Sequence, residues 1–80
     1  MSPSRKLHRQ AMAATDQADL CRRQGDIDGE KLAWAEALKL ELAAIAALPG
    51  EAEFARNIMM ESAEAIRLHV MRLDGEPSTE

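Results

Sequence analysis

Apolar residues recur at helical spacing in three segments of the chain, and Gly25 and the Pro49-Gly50 pair separate these segments. In the first segment, small residues spaced alternately by four and three form one narrow stripe: Leu7, Ala11, Ala14, Ala18 and Cys21. Ser2 offers an N-cap before this stripe, and nothing interrupts the helical pattern until Gly25. We therefore predict helix 1 over residues 3–24.

The second segment is apolar on two sides of one helix, predicted over residues 27–48. One side carries mostly large residues: Ile27, Trp34, Leu38, Leu42 and Ile45. The other side is richer in alanine: Ala33, Ala37, Leu40, Ala44, Ala47 and Leu48. A helix that is apolar on two sides has to pack against two neighbours, so helix 2 is predicted to be central.

The third segment has a single broad apolar arc and predicts helix 3 over residues 51–73. Its members are Phe54, Ala55, Ile58, Met59, Ala65, Ile66, Val70 and Leu73. Residues 74–80 have the composition of a flexible acidic tail. Because the connections are short, consecutive helices should run antiparallel. The prediction is a single all-α domain over residues 1–73, either an up-down-up three-helix bundle or one and a half helical hairpins.

Composition and charge narrow the classes of function. Hydrophobic residues make up 46% of the chain but aromatic residues only 2%, so the core must come from Leu, Ile, Met and Ala. The net charge of −4 argues against nucleic-acid binding, which needs an excess of clustered Lys and Arg. A lone cysteine, Cys21, cannot form an internal disulfide and is expected to be buried. With neither a secretory signal nor an apolar run of membrane-spanning length, a cytoplasmic location is expected.

No arrangement of residues predicts a catalytic, cofactor or metal site. The acidic run Asp26–Glu30 resembles part of a calcium loop, but the sixth and twelfth positions counted from Asp26 are Lys31 and Ala37 instead of Gly and Glu. Capping of helix 2 is the better explanation of these carboxylates. The chain is therefore predicted not to be an enzyme and to need no cofactor.

Four polar residues are predicted to be structural. Glu41 lies between the two apolar sides of helix 2 and needs a cationic partner, for which Arg56 is a candidate. His69 lies near the middle of the apolar side of helix 3, seven residues after Ser62. Its imidazole is expected to bond the turn at Ser62 or a helix 2 side chain, and a pH-sensitive contact is the alternative.

Flexible methionines beside charged residues are common on adaptable binding surfaces. Met60, Leu68 and Met71 lie on the back of helix 3, away from its main apolar arc, and Met12 and Leu20 form a similar minor strip on helix 1. These five residues are the candidate interaction residues.

Residues 11–44 resemble bacterial helical domains of the tetratricopeptide-like kind. The resemblance is carried by an alanine-patterned helix, the turn at Gly25-Asp26 and the alanine-rich middle of helix 2 over residues 33–44, and residues 53–63 resemble the helix that follows. Three-helix modules of the microtubule-interacting and transport type are similar in outline. A fixed repeat of about 34 residues is absent. Either resemblance implies recognition of a protein or peptide through a helical groove.

The leading hypothesis from the sequence is a non-catalytic protein-interaction or assembly module that self-associates, for example as a homodimer, or docks a helix of another protein. The alternative is a small acidic inhibitor, or antitoxin-like protein, that masks a basic site on its target. Binding through charge weakens steeply with added salt, whereas binding in an apolar groove does not. Salt dependence therefore separates the two hypotheses.

Overall fold

The computed structural model describes residues 2–75 and consists of three helices. Helix α1 spans Pro3–Arg23, α2 spans Ile27–Ala46 and α3 spans Glu53–Asp74. The all-α prediction is confirmed, and each predicted helix boundary lies within two residues of the observed one. Of the predicted acidic tail, Asp74 ends α3 and Gly75 follows it, while residues 76–80 lie outside the described residues.

The turn between α1 and α2 satisfies the backbone at both helix ends. The amide of Asp26 donates to the carbonyl of Cys21 over 2.8 Å and that of Gly25 to Arg22 over 3.1 Å, which closes the end of α1. Gly25 has a positive φ of 75°. The Oδ1 atom of Asp26 then accepts a hydrogen bond from the amide of Gly29 over 2.9 Å and caps α2. The predicted capping role of this acidic run is confirmed.

Substitution of Gly25 isolates the contribution of this turn. A Cβ atom there would meet no atom within 4 Å, so the effect of Gly25→Ala comes from its left-handed backbone alone. We expect the free energy of unfolding to fall by about 1 kcal/mol, measured by urea denaturation. Gly50→Ala is the matched control, because a Cβ at Gly50 is equally uncrowded and Gly25 is the only described glycine with a positive φ. Equal effects of the two substitutions would contradict this account.

Arg56 stabilises the turn between α2 and α3. Its guanidinium donates to the carbonyl of Pro49 over 3.1 Å and to that of Gly50 over 3.4 Å. The predicted pairing of Arg56 with Glu41 is therefore wrong. Arg56 lies on the first turn of α3, and its acceptors are carbonyl groups of the turn between α2 and α3.

Helix α2 is central, as predicted. It packs along α1 and along α3, whereas α1 and α3 barely approach each other. Two polar contacts show that both neighbours run antiparallel to α2: His8 at the start of α1 meets Glu41, and Arg72 at the end of α3 meets Glu30. The Cα atoms extend over 49 × 21 × 14 Å, so the three helices form a thin, elongated domain.

The core is built largely from small side chains. A cluster of buried residues joins all three helices: Ala18, Trp34, Ala37, Ile66 and Leu73. The small stripe of α1 is buried at Ala11, Ala18 and Cys21, as predicted. The two largest side chains that are fully buried are polar, those of Glu41 and Ser4. An alanine-rich core buries little apolar area per residue, so polar contacts carry an unusual share of the specificity of packing.

The prediction of which α3 residues are buried is partly wrong. Phe54, Ile58 and Ala65 are exposed, and Phe54 keeps 79% of its surface accessible. Ala63 is buried instead, and Ser62 is half-buried. The apolar arc of α3 is wider than its contact with one neighbour, and α1 does not reach far enough to cover the remainder.

Candidate interaction groove

An apolar groove of about 260 Å³ runs between α2 and α3. Its walls are mainly aliphatic and sulfur-containing side chains: Leu38, Leu42 and Ile45 from α2, and Met60 and Ala63 from α3. Leu42 and Met60 each keep 52% of their surface accessible, whereas Ala63 is buried at the bottom of the groove. We call this feature the α2–α3 groove.

Two charged residues on the rim of the α2–α3 groove are paired with each other. Arg67 donates from Nε to Oε1 of Glu64 over 3.0 Å and from Nη2 to Oε2 over 2.7 Å. This hydrogen bonding lowers the pKa of Glu64 and raises the pKa of Arg67. The carboxylate therefore keeps its charge to a lower pH than an isolated glutamate. Nη1 of Arg67 also lies 3.1 Å from the sulfur of Met71, so the Arg67 side chain extends along the surface of α3 towards Met71.

A polar cluster at the start of α2 holds the end of α3 in place. The indole Nε1 of Trp34 donates to Oε2 of Glu30 over 2.9 Å, and Nη2 of Arg72 lies 3.4 Å from the same oxygen. Glu30 is buried although it is charged, and it has a donor from its own helix and a cation from α3. The cluster therefore ties the end of α3 to the start of α2.

His69 completes this cluster by stacking. Its ring is 4.0 Å from the ring of Trp34, and the two planes differ by 3°. Nη2 of Arg72 lies 3.4 Å from Nδ1 of His69. The predicted contact of His69 with a helix 2 side chain is confirmed, and the contact is an aromatic stack where a hydrogen bond was expected. Ser62, the other predicted partner, is half-buried on the same helix.

A second polar contact joins α1 to the far end of α2. Nδ1 of His8 lies 2.8 Å and 2.9 Å from the two carboxylate oxygens of Glu41, whose side chain is fully buried. The predicted need of Glu41 for a partner is confirmed, but the partner is His8. Sequence reasoning missed His8 because the two residues are 33 positions apart. The available signal was its place four residues after Ser4 and three before Ala11, both of which are buried.

His8 also borders a cleft at the start of α1. The cleft measures about 510 Å³ and is lined by residues from the start of α1, from the turn after α2 and from α3: Ser2, Ser4, Arg5, His8, Leu48, Ala55 and Met59. The hydroxyl of Ser4 lies 4.0 Å from the sulfur of Met59 and is buried. This contact packs the start of α1 against α3.

The structure separates the predicted interaction residues into two groups. Met60, Leu68, Met71 and Leu20 are exposed, and Met60 lines the α2–α3 groove. Met12 is half-buried and packs against the core cluster, so its assignment to an exposed surface is wrong. Leu42 is the opposite case. The sequence pattern predicted that it is buried, but it is exposed and lines the α2–α3 groove.

Residues 2–75 contain neither a candidate metal site nor a candidate membrane span. Within this range, no group of three or more His, Cys, Asp or Glu side chains is arranged to hold a metal ion. None of the described helices has the length and apolar character needed to cross a membrane.

Comparison with known proteins found no matching family, no matching curated sequence and no matching solved structure.

Proposed function

We propose that this chain is a non-catalytic helical interaction module that receives an apolar helix of a partner in the α2–α3 groove. The observation that supports this most is the chemistry of the groove. Its walls are apolar, and the polar groups on its rim, Glu64 and Arg67, already bond each other. A ligand is therefore offered apolar contact and few unsatisfied polar partners.

The lining of the groove favours a peptide over a metabolite. Pockets for drug-sized ligands measure about 300–1,000 Å³ and combine apolar walls with convergent polar groups that orient the ligand. At about 260 Å³ the α2–α3 groove lies below that range, and it has no such convergence of polar groups. An amphipathic helix inserts only its apolar anchors, spaced by three and four residues, and lies along the groove with the remainder outside.

The flexibility of the lining also fits a helical ligand. Met60 is unbranched and adapts to irregular shapes, and it faces Leu42 across the groove with about half of each side chain exposed. Covering these side chains removes apolar surface from water, which contributes about 25 cal/mol per Å². Affinity is therefore expected to come mainly from apolar contact.

The decisive variant is Met60→Glu, which introduces a charge into the α2–α3 groove. We expect a bait carrying it to lose at least about 90% of the protein that the wild-type bait retains from a native lysate of the source cells, because an unpaired carboxylate opposes apolar docking. Retained protein is quantified by mass spectrometry. Phe54→Glu is the matched control, since it also replaces an exposed apolar residue of α3 but lies outside the groove.

Washing the same baits with increasing salt tests the acidic-inhibitor alternative. We expect retention to weaken only moderately with salt, because apolar contact is not screened and only the rim charges, Glu64 and Arg67, respond to ionic strength. Three outcomes would each count against the groove: retention of the same proteins by Met60→Glu, their release by moderate salt, or no specific retention by the wild-type bait.

A further inference from the structure

A straight ridge of four exposed side chains on α3 borders the α2–α3 groove. Met60, Glu64, Arg67 and Met71 are spaced by four, three and four residues, which places them on one line along the helix. Both methionines keep 52% of their surface accessible, and the two charged side chains keep 54% and 50%. We call these four residues the α3 ridge.

The α3 ridge is complementary to itself when it is read backwards. In either direction the order is methionine, a charged residue, a charged residue and methionine, and reversal exchanges the acidic and the basic position. Two antiparallel copies related by a two-fold axis would therefore place Glu64 opposite Arg67 of the second copy. The same axis places Arg67 opposite Glu64 of the second copy. Met60 would lie opposite Met71 of the second copy. An isologous interface requires this kind of pairing, because each contact occurs twice.

We infer that the helix received by the α2–α3 groove is α3 of a second copy of this chain, packed antiparallel along the α3 ridge. The inference rests on the proposed function and names its partner. Docked in this way, α3 of the second copy covers both exposed methionines and the half-exposed Leu42 of the groove wall. The Glu64–Arg67 pair of each copy becomes part of a group of four alternating charges.

Charge complementarity favours a second copy over an unrelated helix. A foreign helix would need only apolar anchors, and its binding would not require a matched pair of opposite charges at the centre of the α3 ridge. In the two-fold arrangement every charge of the α3 ridge faces an opposite charge, which selects the antiparallel register. The same charges would repel in a register shifted to bring Glu64 opposite Glu64 of the second copy.

Two charge-reversal variants test the arrangement by sedimentation velocity. We expect the wild-type chain to have twice the mass of one 8.8 kDa chain. Glu64→Arg or Arg67→Glu alone brings like charges together and should raise the dissociation constant at least about tenfold. An equimolar mixture of the two variants restores an opposite charge at both positions, so the mixture should return to the mass of a dimer. The doubly reversed variant Glu64→Arg/Arg67→Glu should also dimerise on its own.

Controls separate pairing between copies from an effect on the fold. Glu61→Arg reverses an exposed acidic residue of α3 outside the α3 ridge and should leave the dimer unchanged. Circular dichroism verifies the helix content of each variant, and all the substituted side chains are exposed. Dissociation of the mixed variants, or a wild-type chain with the mass of a monomer at every concentration, would overturn the inference. A different result would contradict the groove function itself: retention of a partner that does not depend on Met60.

Discussion

Trp34→Ala is expected to remove about 3–5 kcal/mol from the free energy of unfolding, the loss typical of a buried aromatic residue. Trp34 keeps only 8% of its surface accessible and belongs to the core cluster that joins all three helices. A domain of 80 residues has a total stability of about 4–12 kcal/mol. The variant should therefore be partly or wholly unfolded at 37 °C (roughly body temperature), as measured by circular dichroism during urea and thermal denaturation.

Trp34→Phe separates the two roles of this side chain. Phenylalanine keeps an aromatic ring for His69 to stack on but lacks the Nε1 donor that bonds Glu30 over 2.9 Å. The buried carboxylate would then keep only Arg72, whose Nη2 is 3.4 Å away. We expect a loss of about 1–3 kcal/mol, the effect of removing one partner from a buried polar group.

Phe54→Ala is the matched control for the aromatic substitution. Phe54 keeps 79% of its surface accessible, so its removal should change the free energy of unfolding by less than about 0.5 kcal/mol. If Trp34→Ala were as mild as Phe54→Ala, the core cluster would not hold α2 and α3 together. If Trp34→Phe were as stable as the wild type, the hydrogen bond to Glu30 would contribute nothing.

Helix number and turn positions could be predicted because their signals are local. The left-handed conformation of Gly25 and the cap formed by Asp26 depend on residues within a few positions, and both signals are visible in the sequence. The central position of α2 was also predictable, since one helix carrying two apolar sides has to contact two neighbours. These features determine the order and direction of the helices.

The rotation of α3 and the partner of Glu41 could not be predicted, because both depend on the register between helices. An apolar arc as wide as that of α3 allows several rotations, and stacking of His69 on Trp34 selects the one observed. Arg56 was the predicted partner of Glu41, and only the lengths and angles of the helices place His8 there instead. The α2–α3 groove could not be predicted for the same reason. The apolar character of Leu42 does not indicate whether its side chain is buried between helices or exposed in a groove.

Buried carboxylates have a particular role in a core made largely of alanine. Small, similar side chains pack almost equally well in neighbouring registers, so apolar contact alone specifies the alignment weakly. Glu41 is bonded to His8 of α1, and Glu30 is bonded to Arg72 of α3. A shift of one helical turn would leave either carboxylate buried without its partner from the neighbouring helix. We infer that these two pairs set the register of both interfaces, and through it the shape of the α2–α3 groove.

His8→Ala tests the pair on the α1 side and is expected to lower the free energy of unfolding by about 3 kcal/mol. The side chain of Glu41 is fully buried, and both its oxygens lie within 2.9 Å of His8 Nδ1. Removing the imidazole leaves a buried carboxylate that has lost this partner, which is more destabilising than the loss of the contact itself. Urea denaturation followed by Trp34 fluorescence measures the change.

Removal of the orphaned carboxylate should recover much of this loss. In His8→Ala/Glu41→Leu an apolar side chain of similar size replaces the charge, and such replacements of buried ion pairs are often neutral or stabilising. Arg9→Ala, at an exposed neighbouring position of α1, removes a cation from the surface and should cost less than about 0.5 kcal/mol. A single variant His8→Ala no less stable than Arg9→Ala would show that water or a rearranged side chain satisfies Glu41 equally well. A double variant less stable than His8→Ala would show that Glu41 stabilises the domain through contacts other than the one with His8.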